Sequence, residues 1–380
     1  MDNKKLVRQK LIEILSKEKI NFIASAITPW HAIGVNALLE LLLDKGIKIN
    51  PLFIVMQSPN KEYLLDAKSF SYDTEHVYLL DYSKNDTSKF GLLTNPLSSV
   101  INFFKNRKIS NYQDEVYIAN PWYPDFNRVN WVLKQNKFLK IKYCIIDEGA
   151  ATYMRTSEPI LKAFSDNKSY VKALLFIYSF YIQNKLLFNL IKKTDSFLNM
   201  NIFIIANKKL ILNQAALKYY KKVLNTSISP KTNIGPLSST VLIGTMAFPR
   251  NCIYKNEDIN FLKKLVKYIK SQGFIPILKP HPRESDSLTH YAELNCRILD
   301  NSTPLELLFD AKLKPKAFIS FSSTSLLNAK LFYGINSFSI INLLDLENFH
   351  KIYKDEMTSF KKVFADHISF PNYIEEIHKE

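Results

Sequence analysis

Glycine is scarce in this chain, with 8 residues in 380, and proline is moderate at 16. No collagen-like period, repeat array or long structureless tract fits that composition. The chain contains no Gly-x-Gly-x-x-Gly fingerprint and no Walker sequence, which argues against a dinucleotide-dependent dehydrogenase and a P-loop NTPase. The three cysteines, Cys144, Cys252 and Cys296, are far apart in sequence and each sits in an apolar or strand-like context. An odd, scattered set points to a reducing compartment, with neither a disulfide framework nor a metal cluster. Carboxylates are under-represented too: 35 Asp and Glu face 51 Lys and Arg, a net charge of +16.

What is abundant is apolar and aromatic side chain, 47% and 13% of the residues, enough to fill the cores of two ordinary domains. Met1–Lys10 leads into an amphipathic helix and lacks the apolar core and cleavage site of a signal peptide, so cytoplasmic residence is expected. The most hydrophobic window, Ala173–Ile191, is broken at its middle by Gln183, Asn184 and Lys185. It reads as a core helix pair, or as an interfacial helix flanked by lysines at the inner face of a membrane, and not as a spanning segment. The excess positive charge calls for an anionic partner. Six lysines and no acid lie between Lys208 and Lys231, among them Lys218, Lys221 and Lys222. Such a face suits an anionic saccharide or membrane surface; no signature of a nucleic-acid module is present, so nucleic acid is not expected as a partner.

Apolar runs alternate with amphipathic segments through most of the chain, which predicts an α/β protein with a parallel sheet in each half. Strands are expected near Asn21–Ala26, Pro51–Val55, His76–Leu80, Glu115–Ile118, Lys142–Ile146 and Ile202–Ile205, with helices near Leu6–Ser16, His31–Lys45, Pro96–Lys105, Phe126–Gln135 and Glu158–Lys193. The Ser/Thr/Pro/Gly-rich stretch Asn225–Ser238 is the expected linker. Beyond it come a strand Thr240–Thr245, a helix Asn256–Gln272, a strand Phe274–Leu278, a short strand near Ile298, a helix Pro304–Lys312, a strand Ala317–Ser320 and a serine-capped helix. The domains expected are residues 1–232, residues 238–345, and a C-terminal helical segment 346–380, with its helix at Phe349–Phe364.

Three strand ends carry chemistry. Lys279-Pro280-His281-Pro282-Arg283-Glu284 follows the run Phe274–Leu278, and two prolines restrict the backbone around His281. That rigidity suits a catalytic or phosphate-binding imidazole; the alternative reading is a plain surface turn. Lys279 and Arg283 either add positive charge there or pair with Glu284; Glu284 and Asp286 read as a solvated turn, not a metal-binding pair. Tyr143–Ile146 ends in Asp147-Glu148-Gly149, adjacent carboxylates whose mutual repulsion and partial burial raise at least one pKa toward the range of a general base. Ala317–Ser320 runs into Phe321-Ser322-Ser323-Thr324-Ser325, hydroxyls at a helix start that either cap the helix or, with its free N–H groups and positive dipole end, help hold a phosphate. Gly244 and Thr245, ending another strand, would let the backbone approach a nucleotide. In the first half, Thr28-Pro29-Trp30-His31 and Asn120-Pro121-Trp122-Tyr123 stand at strand ends where aromatics can meet a sugar, or simply fill a core.

The Asp-Glu-Gly, His-Pro and Ser-Ser-Thr-Ser motifs, in this order, resemble the motif set of the bacterial sialyltransferase superfamily, and most nearly its capsular polysialyltransferases. The resemblance covers mainly residues 141–155 and 238–335. It implies a GT-B fold, two Rossmann-like domains facing a central cleft, with the C-terminal helix crossing back to the first domain. It implies an inverting, metal-independent glycosyltransferase that needs no cofactor and uses CMP-sialic acid as donor substrate. Glu148, with Asp147 as second candidate, would be the base and His281 the acid. Gly244, Thr245, Lys279, Pro282, Ser322, Ser323 and Thr324 would hold the donor, and Thr28, Trp30, His31, Lys218, Lys221 and Lys222 the acceptor. The product would be a capsular sialic acid chain made at the inner membrane face. Two alternatives stand beside it: single sialyl transfer to galactose of a lipooligosaccharide, and a non-catalytic saccharide-binding protein.

Overall fold

The computed structural model describes residues 20–26, 28–57, 65, 67–72, 77–81, 114–119, 139–147, 149–150, 153, 174, 198–206, 209–226, 239–246, 252–281, 284, 288–299, 305 and 314–378. The chain divides into two compact units, Met1–Glu148 with Pro159–Val223, and Gly149–Glu158 with Leu224–Glu380.

The first unit is built on β1 (Phe22–Ala26), β2 (Pro51–Gln57), β3 (Val77–Asp81), β4 (Asp114–Ala119), β5 (Leu139–Ile146) and β6 (Leu198–Met200). Their spatial order is β3-β2-β1-β4-β5-β6, and every pairing is parallel. This is the strand order of a Rossmann sheet, and its chain reversal lies between β1 and β4. All five residues of β1 are buried, as the unbroken apolar spelling of a strand covered on both faces requires. Helix α1 (Pro29–Asp44) starts where the Thr28 hydroxyl accepts from the His31 N–H at 3.3 Å, with Pro29 preset for the first turn. It is buried from Trp30 through Leu39, so it is a core helix and not an amphipathic one. Phe22 meets Phe53 edge-on at 6.3 Å, and Phe53 stacks on Phe70 at 4.1 Å.

The expected strand at Ile202–Ile205 belongs to a different element. Phe203–Ala206 (β7) pairs antiparallel with Lys209–Leu212 (β8), and the sheet's sixth strand is the preceding Leu198–Met200. Two residues separate β7 from β8, whereas a parallel return needs a dozen or more. Helix α2 (Gln214–Thr226) follows, and the unit boundary falls within it, before the expected linker. Residues 227–238 lie outside the described residues, as do the expected helices Leu6–Ser16, Pro96–Lys105 and Phe126–Gln135, and all but one residue each of Glu158–Lys193 and Pro304–Lys312.

The second unit repeats the plan. Strands β9 (Thr240–Gly244), β10 (Ile275–Lys279), β11 (Arg297–Ile298), β12 (Ala317–Ser320) and β13 (Asn336–Ser339) lie in the order β11-β10-β9-β12-β13, all parallel. Helix α3 (Glu257–Ser271) buries Ile259, Leu262, Val266 and Ile269 at helical spacing and turns Lys263, Lys267 and Lys270 outward. Helix α4 (Thr324–Tyr333) follows β12. The C-terminal segment, expected as a separate piece, is anchored in this unit. Helix α5 (Lys351–Phe364) buries Met357, Phe360 and Phe364, Tyr153 meets Phe364 edge-on at 6.2 Å, and the Ser339 N–H donates to the Ser369 carbonyl at 2.9 Å. Two parallel Rossmann-like sheets in one chain are what the GT-B class requires. No helix among the described residues is long and apolar enough to cross a membrane.

His31 supplies a test of this core. Burial pushes its pKa down from 6.5 to about 4, so the folded protein keeps the imidazole neutral. The unfolded chain binds the extra proton below about pH 6.5, hence the contribution is whole above that pH and is lost as pH falls toward 4, by about 3 kcal/mol. Urea unfolding of wild type and His31→Leu at pH 7 and pH 4.5 is expected to show a smaller loss of stability on acidification in the variant.

Candidate functional site

At the end of β5 the acidic motif divides into two. Asp147 is 1% exposed. Its Oδ1 accepts from Trp30 Nε1 at 3.3 Å, its Oδ2 accepts from the Ile202 N–H at 3.0 Å, and its own N–H donates to the Tyr220 hydroxyl at 3.0 Å. Burial, and then the Asp147 charge, push the Tyr220 phenol well above its ordinary range. A carboxylate oriented by internal donors inside a core acts as an anchor between elements, and this is the place the structure gives Asp147, the second of the two expected base candidates. It ties β5 to α1 and to the backbone beyond β6. Glu148 lies outside the described residues.

The same network accounts for the expected acceptor residues of the first unit. Trp30 is buried with its ring stacked on Tyr220 at 5.3 Å, so it is not a sugar platform. Thr28 is a helix cap and His31 a neutral core imidazole. Gly34 leaves room for this packing, since a Cβ there would stand 2.7 Å from the Tyr220 hydroxyl. Asn120–Tyr123 lie outside the described residues. The lysine face is partly neutralised by acids of α1. Lys222 Nζ lies 2.6 Å from Glu40 and 3.6 Å from Asp44, and Lys218 Nζ lies 3.9 Å from Asp44 and over the Tyr219 ring. Lys221 is exposed.

In the second unit the predicted donor residues come together at one edge of the sheet. Strand β9 lies between β10 and β12, so the ends bearing Gly244, Lys279 and Ser320 are neighbours. The reversal of strand order between β9 and β12 is where open α/β sheets receive ligands. The Ser320 hydroxyl donates to the Gly244 carbonyl at 3.0 Å. A Cβ on Gly244 would stand 2.9 Å from the Phe318 ring, so this glycine answers first to packing beneath the site. Ser323 is the N-cap of α4, its hydroxyl accepting from the Ser325 N–H at 3.2 Å. Ser322 is buried, with its hydroxyl 4.0 Å from Met246 Sδ. The Thr324 hydroxyl accepts from the Ala150 N–H at 2.8 Å, so it holds the segment that follows the acidic motif.

The His281 turn is held by a group read from sequence as solvated. Glu284 is 7% exposed. Its Oε2 accepts from the His281 N–H at 2.9 Å and from the Thr245 hydroxyl, and its Oε1 accepts from the Tyr291 hydroxyl at 2.7 Å. The Glu284 N–H in turn donates to the His281 carbonyl at 2.9 Å. Burial raises the Glu284 pKa, and the hydrogen bonds from Thr245, Tyr291 and His281 counter it. Lys279 is buried, with its ammonium 3.1 Å from the Pro280 carbonyl. Pro282, Arg283 and Asp286 lie outside the described residues. Tyr291 and Tyr220 carry no motif; the one signal for Glu284 is its place three residues after His281, the spacing at which a side chain reaches back to the start of its own turn.

A family model described as Alpha-2,8-polysialyltransferase (POLYST) matches residues 22–342. The chain belongs to that family. It is therefore a glycosyltransferase of the sialyltransferase kind. Among solved structures, an alpha/beta-galactoside alpha-2,3-sialyltransferase of Photobacterium phosphoreum is similar at 15% identity, covering 93% of this chain and 98% of its own with a TM-score of 0.42. A sialyltransferase from Photobacterium damselae (residues 113–497, its GT-B domain) is similar at 12% identity, 92% and 99% coverage and a TM-score of 0.41. The UDP-GlcNAc 2-epimerase of Methanocaldococcus jannaschii is similar at 13% identity, 94% and 90% coverage and a TM-score of 0.47. Comparison with the curated proteins finds no match.

Gly149 packs against Thr324 of the same unit and tolerates no side chain. Its φ is +101°, and a Cβ would stand 2.7 Å from the Thr324 hydroxyl. Gly149→Ala is expected to lower stability by about 1–3 kcal/mol and to reduce transfer more than tenfold, read by urea unfolding and a transfer assay.

Proposed function

We propose that this member of the polysialyltransferase family transfers sialic acid from CMP-sialic acid to the end of a growing sialic acid chain, with inversion and without a metal ion. The observation that carries the reading is the family match over residues 22–342, joined to the strand ends of the second unit, where His281 and the Ser323-capped helix start follow β10 and β12, the two strands that flank β9. An acceptor hydroxyl gives its proton to Glu148 as its oxygen attacks the anomeric carbon of the donor. The bond from that carbon to the phosphate oxygen breaks, and CMP departs with the electron pair. Charge developing on the leaving phosphate is met by the N–H groups and dipole of α4 and by the His281 imidazole, which holds or protonates it. The acceptor would be polyanionic, in keeping with the net charge of +16, and the natural setting would be capsule synthesis at an inner membrane face.

The donor and acceptor are tested by incubating the protein with CMP-sialic acid in EDTA, with a short α2,8-linked sialic acid oligomer or a lactose-terminated glycan, and reading products by mass. Stepwise growth of the oligomer is expected. A single addition to the lactose glycan alone selects a monosialyltransferase, and no transfer to either refutes the donor. Within the acidic pair, Glu148→Gln is expected to lower kcat by about 10²–10⁴-fold at unchanged stability. Asp147→Asn is expected instead to lower stability by about 1–3 kcal/mol, because an amide cannot accept at both positions.

A further inference from the structure

We propose that Glu284 is a positioning residue for His281, acting with Thr245 and Tyr291 as a clamp on the turn that carries the imidazole. The proposal rests on the reading that His281 serves the donor phosphate. A buried carboxylate is expensive unless donors surround it. Glu284 gathers donors from three parts of the second unit: the Thr245 hydroxyl just past β9, the His281 N–H just past β10, and the Tyr291 hydroxyl in the 3-10 stretch Leu288–Leu294. Both backbone polar groups of His281 are engaged by this one residue, the N–H by Oε2 and the carbonyl by the Glu284 N–H at 2.9 Å. The His281 N–H is also shared with the Thr245 hydroxyl at 2.9 Å, and the Thr245 N–H continues the ladder by donating to the Lys279 carbonyl at 3.2 Å.

This arrangement does more than close a turn. An i to i+3 hydrogen bond and flanking prolines suffice to reverse the chain. The carboxylate adds a fixed link from the turn to the end of β9, next to the strand reversal, and so sets where the His281 backbone stands relative to the other donor-side loops. Misplacement of a catalytic group by about 1 Å is worth roughly a hundredfold in rate, which is the scale on which such a link acts. Tyr291 completes it: burial, and then the Glu284 charge, push its phenol above the ordinary range, so it stays a hydrogen-bond donor.

The test is a double-mutant cycle on transfer from CMP-sialic acid to an α2,8-linked oligomer. Glu284→Gln keeps the side chain's shape but replaces one accepting oxygen with a donor. In the wild-type background it is expected to lower kcat by about a hundredfold with the acceptor KM unchanged. In the His281→Ala background the same change is expected to leave the residual rate within about twofold, because the group it positions is gone. An equal loss in both backgrounds makes Glu284 merely structural and overturns the proposal. Full activity of Glu284→Gln also overturns it while leaving the role of His281 intact. Full activity of His281→Ala refutes instead the reading on which the proposal rests. If Glu284→Gln does not fold, Tyr291→Phe enters the same cycle. A smaller loss confined to kcat and absent from the His281→Ala background supports the clamp; a loss that persists there contradicts it.

Discussion

Parallel pairing puts the carboxyl ends of all strands of a sheet on one edge, and in the second unit the middle strand β9 has β10 and β12 as its neighbours. Everything assigned to the donor follows from that constraint. The loops after these strands must be adjacent, so Thr245, the His281 turn and the capped start of α4 are brought together although up to 79 residues separate them in sequence. Side-chain size then tunes the edge. Gly244 leaves space for the Phe318 ring, and the Ser320 hydroxyl on the Gly244 carbonyl fastens β12 to β9.

Among the described residues, two carboxylates are buried at such strand ends, one in each unit, and they solve the same problem. Asp147 past β5 and Glu284 past β10 each collect donors from elements distant in sequence and so fix the backbone beside a residue to which the proposed function gives chemistry. For Asp147 that neighbour is Glu148, the next residue in the chain; for Glu284 it is His281. A buried carboxylate is held in place because each lost hydrogen bond would leave a charge without water or partner. Serving the framework and meeting a substrate are different demands on a carboxylate, and on the proposed function the adjacent acids of one motif divide them.

Most of the architecture was legible from the sequence because buried parallel strands are spelled as short apolar runs. Phe22–Ala26, Thr240–Gly244 and Ala317–Ser320 announce themselves in this way. The failures come where spelling and environment part. Leu198–Met200 is three residues with a polar centre, too short to show a period, and the hairpin of β7 and β8 resembles one more parallel strand until its loop length is considered. Within the site, the places of the His-Pro and serine motifs at strand ends were readable, but the partners of their neighbours were not. Glu284 looks like a solvated turn because its partners Thr245 and Tyr291 are recruited by the fold, and Trp30 looks like a sugar platform until Tyr220, 190 residues away, covers its ring. The lysines of α2 read as a free basic face because the acids that meet them, Glu40 and Asp44, belong to another helix.

The most direct test of the account is a crystal structure of the protein with CMP bound. The nucleotide phosphate is expected at the carboxyl edge of the second sheet, within hydrogen-bonding distance of the His281 side chain and the first N–H groups of α4. A phosphate bound away from these strand ends, or no CMP in the second unit at millimolar concentration, would contradict it.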